Sequence, residues 1–236
     1  MKLSELTKKN NLKTVIILFS VAVLYTLRRY LGSTDFFIFY LNRSSLFTDA
    51  QASAQYYNWG LSFVLFCLVP VAIVKLWFRE KLGDYGVLIK KPLIAIFITL
   101  LGIVVVTPAI YIGSKMPEFI SIYPVVYNAG ETPLLFLKSS VFYFLFYIGY
   151  EFIFRGFLFM GIKEDIGMWK ALSVSLLATV LIHVTKPMTE MTLSILIGLI
   201  FPIIVNRLKS IWPVIIIHAY IGIAFDYWVI INGGGF

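Results

Sequence analysis

Two histidines, one glutamate and one arginine interrupt stretches that are otherwise apolar. His183 closes the run 176–182, which is mostly leucine, isoleucine and valine, and His218 follows Val214, Ile215, Ile216 and Ile217. They are the only two histidines in the chain. Glu151 and Arg155 stand in the aromatic-rich run 147–157. Ionisable groups are expensive in hydrocarbon and face a bundle interior or water. Four residues apart, Glu151 and Arg155 share one helix face, with Tyr147 one turn earlier. Each stays charged more easily beside the other, and a structural ion pair that fixes helix packing is the plain alternative. One glutamate and two histidines on separate helices can orient and deprotonate a water. The same trio, Glu151, His183 and His218, can instead hold a divalent metal such as zinc with a water in the open position. Either arrangement supports hydrolysis.

Other polar groups carry less. Lys186 and Glu190 are four apart across Pro187 and read as a solvated turn pair. Asp226 is eight residues beyond His218, about 12 Å along a helix axis, too far for direct contact. Cys67 is the single cysteine, so it forms no internal disulfide and no thiolate metal site.

The elements that position these groups are membrane helices. Hydrophobic residues make up 60% of the chain and charged residues 14%, against about 25% charged in soluble domains. No polar stretch is long enough for a separate soluble domain, so residues 1–236 form one membrane domain. Spans of roughly 20 apolar residues fall at 13–33, 57–78, 92–114, 136–160, 169–186, 191–206 and 211–231. The expected fold is therefore an all-α, polytopic transmembrane bundle of about seven spanning helices. Segment 33–60, with Phe36, Phe37, Phe39 and Tyr40 among polar residues, reads as interfacial, and the tail Gly233-Gly234-Gly235 is expected to fray. The first apolar run lacks a small-x-small cleavage pattern and reads as an uncleaved helix. The net charge of +8 lies mostly in connectors. It forms no basic face with interleaved polar residues, which argues against a nucleic-acid partner. No internal repeat of the kind that builds many transporters is visible.

The run Glu151-Phe-Ile-Phe-Arg155-Gly-Phe-Leu resembles the first motif of the CPBP family of intramembrane proteases, which includes CAAX prenyl endopeptidases and bacteriocin-processing and immunity-like proteins. That family's motifs are Glu-Glu-x-x-x-Arg, Phe-x-x-x-His and His-x-x-x-Asn/Asp; here they fall at 150–155, 179–183 and 218–222. The resemblance covers residues 137–231, the expected core helices. His183-x-x-Lys-Pro-x-x-Glu190 and Ser210-Ile-Trp-Pro-x-x-x-x-His218 are similar to one bacterial branch. Three positions depart from the pattern: Tyr150 replaces the first Glu, Thr179 the Phe and Gly222 the Asn. The resemblance implies a bacterial cell-membrane endopeptidase acting on a membrane-embedded or lipid-modified peptide or protein, with lipid bilayer around it. It implies catalytic roles for Glu151 (general base), Arg155 (holding Glu151), His183 (binding the same water) and His218 (stabilising the oxyanion). Metal-dependent and metal-free forms are both open, and either Glu190 or Asp226 is a spare carboxylate for the absent Glu. A non-catalytic member acting in bacteriocin immunity or as a scaffold, and a proton-coupled transporter, are the competing readings. The substrate's identity is not legible in a chain whose spans are all apolar.

Helix lengths set one further expectation. Glu151 and His218 lie about 13 and 9 Å from the basic ends of their spans, and His183 about 20 Å. They converge only if the fifth helix starts earlier, tilts or re-enters.

The basic connectors, with Lys2 at the start, Arg79, Lys81, Lys90 and Lys91, then Lys163 and Lys170, then Arg207 and Lys209, all fall on one side of a seven-span chain. The positive-inside rule puts that side and the N-terminus in the cytoplasm. A reporter fused after Phe236 is expected to lie on the outer face; a cytoplasmic signal there would overturn the topology.

Overall fold

A computed structural model describes residues 3–42 and 49–235, with side chains from residue 12 onward. Lys2 and Arg43, two of the basic residues near the first span, lie outside the described residues. Seven long helices run in order: α1 (Leu3–Leu31), α2 (Ala50–Phe78), α3 (Pro92–Gly113), α4 (Pro133–Ile166), α5 (Met168–Ile182), α6 (Met188–Leu208) and α7 (Trp212–Asn232). Six of them are long and apolar enough to cross a membrane, and α5 is a shorter apolar helix. No strand occurs among the described residues. The protein is an all-α polytopic membrane bundle.

Local chemistry sets the ends. Asp49 caps α2 by accepting the Ala52 N–H at 2.9 Å, which starts that helix at Ala50, inside the segment 33–60 expected to be interfacial, rather than at residue 57. Thr132 caps α4 through the Leu135 N–H at 3.2 Å, with Pro133 in the first turn, where its missing N–H costs nothing. Pro213 does the same for α7. In α2, π-helical turns at Val64–Leu68 and Ile73–Phe78 flank Pro70, whose ring and missing N–H break the regular ladder. The glycine tail does not fray as expected: the Gly233 and Gly235 N–H groups bond to the Val229 and Ile230 carbonyls at 3.0 Å and cap α7.

The centre of the bundle is α4. Its π-helical stretch Phe152–Met160 is buried along its whole length. α1, α2, α5, α6 and α7 pack around it, while α3 lies outside against α7. α2 and α4 approach closely at Gly149. A Cβ at Gly149 would stand 3.1 Å from the Ser62 carbonyl oxygen and 3.2 Å from the Phe63 Cα.

Two corrections to the span boundaries settle the depth question. First, α5 ends at Ile182, not at residue 186, so His183 is the C-cap residue and not part of a spanning helix. The β-branched pair Val184-Thr185 disfavours another turn, and Pro187 drives Lys186 out of the helical region. At 15 residues α5 reaches about 22 Å, short of the roughly 30 Å hydrocarbon core. Second, α4 continues to Ile166, which moves Glu151 about 22 Å from that end, level with His183. The connector before α3 completes the match by folding beneath α7. Gly86 O accepts the Ile211 N–H at 2.9 Å, Val87 O accepts the Trp212 indole at 2.7 Å, and the Tyr85 carbonyl packs at Gly156. His218 thereby starts its climb from a raised floor.

The basic connectors do share one face. Lys13 pairs with Glu80 at 2.8 Å, Thr14 bonds to Asp165 at 2.7 Å, and Lys91 reaches the Arg207 carbonyl at 3.2 Å. Asp49 with Tyr127 and Asn128 closes the opposite face.

Gly149→Val is expected to wedge α2 from α4 at a cost of about 1–3 kcal/mol. The measurement is the thermal unfolding midpoint of the purified protein in detergent, and an unchanged midpoint would contradict the close approach.

Candidate active site

Glu151 is the innermost group. It is 0% exposed, as is Arg155. Its Oε1 accepts a hydrogen bond from His218 Nδ1 at 2.5 Å, and its Oε2 lies 3.2 Å from Arg155 Nε. The ion pair expected from the four-residue spacing therefore forms, and α7 adds a histidine to it. The Arg155 guanidinium also sits 5.6 Å from the Tyr150 ring centroid and 5.7 Å from that of Phe201, within cation–π range. Among the described residues its nitrogens meet no hydrogen-bond acceptor, so the carboxylate and the two rings carry the compensation for its burial.

His183 is held by the end of α5. Its Nδ1 donates to the Thr179 carbonyl at 2.7 Å, and the Thr179 hydroxyl in turn donates to the Ser175 carbonyl at 2.8 Å. Ser175 donates to the Phe154 carbonyl at 3.1 Å, tying α5 to the π-helical stretch of α4. A carbonyl only accepts, so His183 carries its proton on Nδ1 and keeps a lone pair on Nε2. His218 likewise commits Nδ1, to Glu151. Each ring thus has Nε2 left for chemistry.

Two small cavities collect the site. One of about 80 Å³ is lined by Tyr147, Thr179, His183, Glu190, Ser194 and His218 among others, and is roomy enough for water. The other, about 260 Å³, also touches Tyr147, His183, Glu190 and His218 and extends to Arg28. A larger space of about 680 Å³ lies elsewhere, between Lys13, Trp77 and Arg79, and has no part in this cluster. Glu151 and Arg155 line neither of the two small cavities. The structure thus joins Glu151, Arg155 and His218 directly. It sets His183 on the same cavity as His218 and keeps Glu151 one layer behind.

Three side chains gain importance that spacing alone did not give them. Glu190, read as half of a solvated turn pair, lies 3.6 Å from Lys186 through Oε1, while its buried Oε2 has no hydrogen-bond partner among the described residues. The signal was its place one turn into α6, directly after the loop that begins at His183. Tyr147, noted only as sharing a face with Glu151, stacks 4.5 Å from His218 between ring centroids. Its hydroxyl occupies the space that a side chain at residue 222 would need: a Cβ on Gly222 would collide with Tyr147 Oη and with the Tyr143 ring. Tyr150 points away from Glu151, as the 100° helix step requires, yet its ring lies 5.1 Å from His218 and 6.4 Å from His183. Asp226, by contrast, accepts the Val125 N–H at 2.9 Å and pins the connector before α4 onto α7.

The donor set does not assemble as a metal centre. Both Glu151 oxygens face His218 and Arg155, and among the described residues no three His, Cys, Asp or Glu side chains converge as ligands.

Residues 132–224, from the cap of α4 to the middle of α7, match the family described as type II CAAX prenyl endopeptidase Rce1-like. That stretch is similar to the family. All four motif residues, Glu151, Arg155, His183 and His218, lie inside it. No curated protein and no solved structure matches the chain.

Removing one partner of the buried pair while keeping the other strands a charge. Arg155→Met is expected to cost about 3–5 kcal/mol in unfolding free energy, with Glu151→Gln/Arg155→Met recovering part of it. Strictly additive effects in a double-mutant cycle of denaturant unfolding would show that the two groups do not interact.

Proposed function

We propose that the protein is an intramembrane endopeptidase that hydrolyses a peptide bond in a membrane-embedded or lipid-modified substrate. The observation that carries this reading is the meeting of His183, His218 and Glu190 on one small cavity, in a stretch that matches an endopeptidase family. Water held by His183 Nε2 gives its proton to Glu190 as its oxygen attacks the scissile carbonyl carbon. Charge develops on the former carbonyl oxygen, and fixed donors stabilise it. His218, fixed through Nδ1 by the Glu151 carboxylate, is one such donor, and the Tyr147 hydroxyl is the second. When the C–N bond breaks, Glu190 passes the proton to the departing nitrogen. Glu151 thus acts through His218 rather than on the water, because its Oε1 accepts from His218 and it lines neither of the two small cavities. Arg155 holds Glu151, and both are positioning residues. No step runs through a metal. The same reading keeps residues 1–236 as one membrane domain in a bacterial cell membrane, with the basic face cytoplasmic.

A positioned proton acceptor contributes about 10²–10⁴-fold in rate. Glu190→Gln is therefore expected to abolish measurable cleavage while leaving the protein folded; His218→Ala abolishes it too and, by stranding Glu151, also lowers the thermal unfolding midpoint, whereas Asp226→Asn retains activity. The assay is mass-spectrometric mapping of new peptide termini in membranes of cells expressing each variant. Full cleavage by Glu190→Gln would remove its role as base. Identical termini with the wild type and with no protein at all would favour the non-catalytic scaffold or immunity reading.

A further inference from the structure

The larger of the two cavities at the histidines ends on a charge that nothing balances. Arg28, near the end of α1, lines that cavity together with Tyr150, His183, Lys186, Glu190 and His218. Its Nε donates to the Ser62 hydroxyl at 3.1 Å and its Nη2 to the Asn58 amide oxygen at 2.9 Å, both on α2 and both neutral. Its guanidinium carbon lies 5.7 Å from the Phe146 ring centroid. Among the described residues no carboxylate pairs with it. The one carboxylate on the cavity, Glu190, is 3.6 Å from Lys186, so the cavity walls hold Arg28 and Lys186 against a single negative charge.

An arginine inside a membrane bundle is expensive and pairs with a counter-ion or serves a ligand. Neutral oxygens on Asn58 and Ser62 orient the planar fork without neutralising it, and part of the fork stays open toward the cavity. A guanidinium so held is pre-organised for an anion and matches the two oxygens of a carboxylate. A plain structural tie between α1 and α2 would need only the hydrogen bonds, which a neutral side chain supplies at lower desolvation cost.

We propose that Arg28 is an anion subsite that anchors a carboxylate of the peptide substrate, holding the adjoining chain in the cavity next to His183 and His218. This assignment rests on the endopeptidase reading, and it adds a specificity: peptides with a carboxylate within reach of the scissile bond bind in preference to neutral ones. The carboxylate is either a free C-terminus or an acidic side chain, and the two are separable.

The test uses the full chain in phosphatidylcholine nanodiscs and a dansyl-labelled apolar tetrapeptide with reduced, non-hydrolysable linkages. Three forms are compared by fluorescence anisotropy: the free acid, the C-terminal amide, and an amide carrying one glutamate. Wild type is expected to bind an acidic form about tenfold or more tighter than the plain amide, the size of one charge-assisted hydrogen bond. Tighter binding of the free acid alone assigns a C-terminus, and tighter binding of the glutamate form assigns a side chain. Arg28→Gln is expected to erase the preference, and Arg28→Lys, which keeps the charge but not the fork, to reduce it. Thermal midpoints are taken alongside, and if the Gln variant unfolds, the Lys variant carries the comparison. Equal binding of acid and amide by wild type, no binding of any form, or an undiminished preference in a folded variant would overturn the subsite. Cleavage of the hydrolysable free acid is followed separately. Selective binding without cleavage overturns the peptidase reading and leaves the anion subsite standing.

Discussion

The constraint on which the rest of the structure depends is the buried carboxylate of Glu151. With no exposure to solvent, it needs partners within the protein, and it has them on both oxygens: Arg155 from its own helix and His218 from α7. A charge in this position costs several kcal/mol unless it is well paired, so the register between α4 and α7 follows from it. Sliding α7 by one turn, about 5.4 Å, would leave Glu151 facing aliphatic side chains. The aromatic surroundings have the same logic. Tyr150 and Phe201 give the Arg155 guanidinium electron-rich faces where no further acceptor is available.

From that fixed point the geometry of α5 becomes intelligible. A helix running on to residue 186 would leave His183 in mid-helix, with the Thr179 carbonyl used by the backbone. Stopping at Ile182 places His183 at the cap, where its Nδ1 can satisfy a carbonyl left open by the helix end. One interaction thus does two jobs: it closes the helix and sets the tautomer that leaves Nε2 facing the cavity. The loop that follows is short because Pro187 begins α6 at once, and this brings Glu190 round to the same cavity.

Much of this was legible in the sequence. The seven helices followed from apolar run length, and the Glu151–Arg155 pair from a spacing of four. Glu151, His183 and His218 were grouped as rare ionisable residues of separate spans and by family resemblance, but separate helices carry no mutual spacing, so it was not legible that Glu151 would meet His218 and stand behind the cavity that His183 lines. What stayed hidden depends on tertiary geometry. Asp49 and Thr132 are ordinary polar residues until their caps extend α2 and α4 beyond the apolar windows. The end of α5 was signalled by Val184, Thr185 and Pro187, yet the continuing apolar character of Val184 hid it. Arg28 stands beside Arg29, and adjacency in the chain does not say which of them faces the bundle; the bonds of Arg28 to Asn58 and Ser62 on α2 do. Glu190 looked like a solvent pair for the same reason: a spacing of four says who is near, not what else is near.

The departures at Tyr150 and Gly222 are best understood together. Replacing a carboxylate at 150 with a tyrosine fills with a ring the space between the two histidines, so a second glutamate could not reach water from there. Replacing an amide side chain at 222 with hydrogen opens room that the Tyr147 hydroxyl occupies, beside His218. Each loss of a polar group on one helix is therefore met by a polar group from elsewhere, a carboxylate from α6 and a hydroxyl from α4. On the proposed reading, such exchanges preserve what hydrolysis needs, a proton acceptor and a fixed donor on one cavity, while changing which elements deliver them. Because a cavity selects by position and chemistry and not by place in the chain, loss of two motif residues does not by itself imply loss of activity. The physical question becomes whether the cavity still holds both functions, and here Glu190 and Tyr147 line it with His183 and His218.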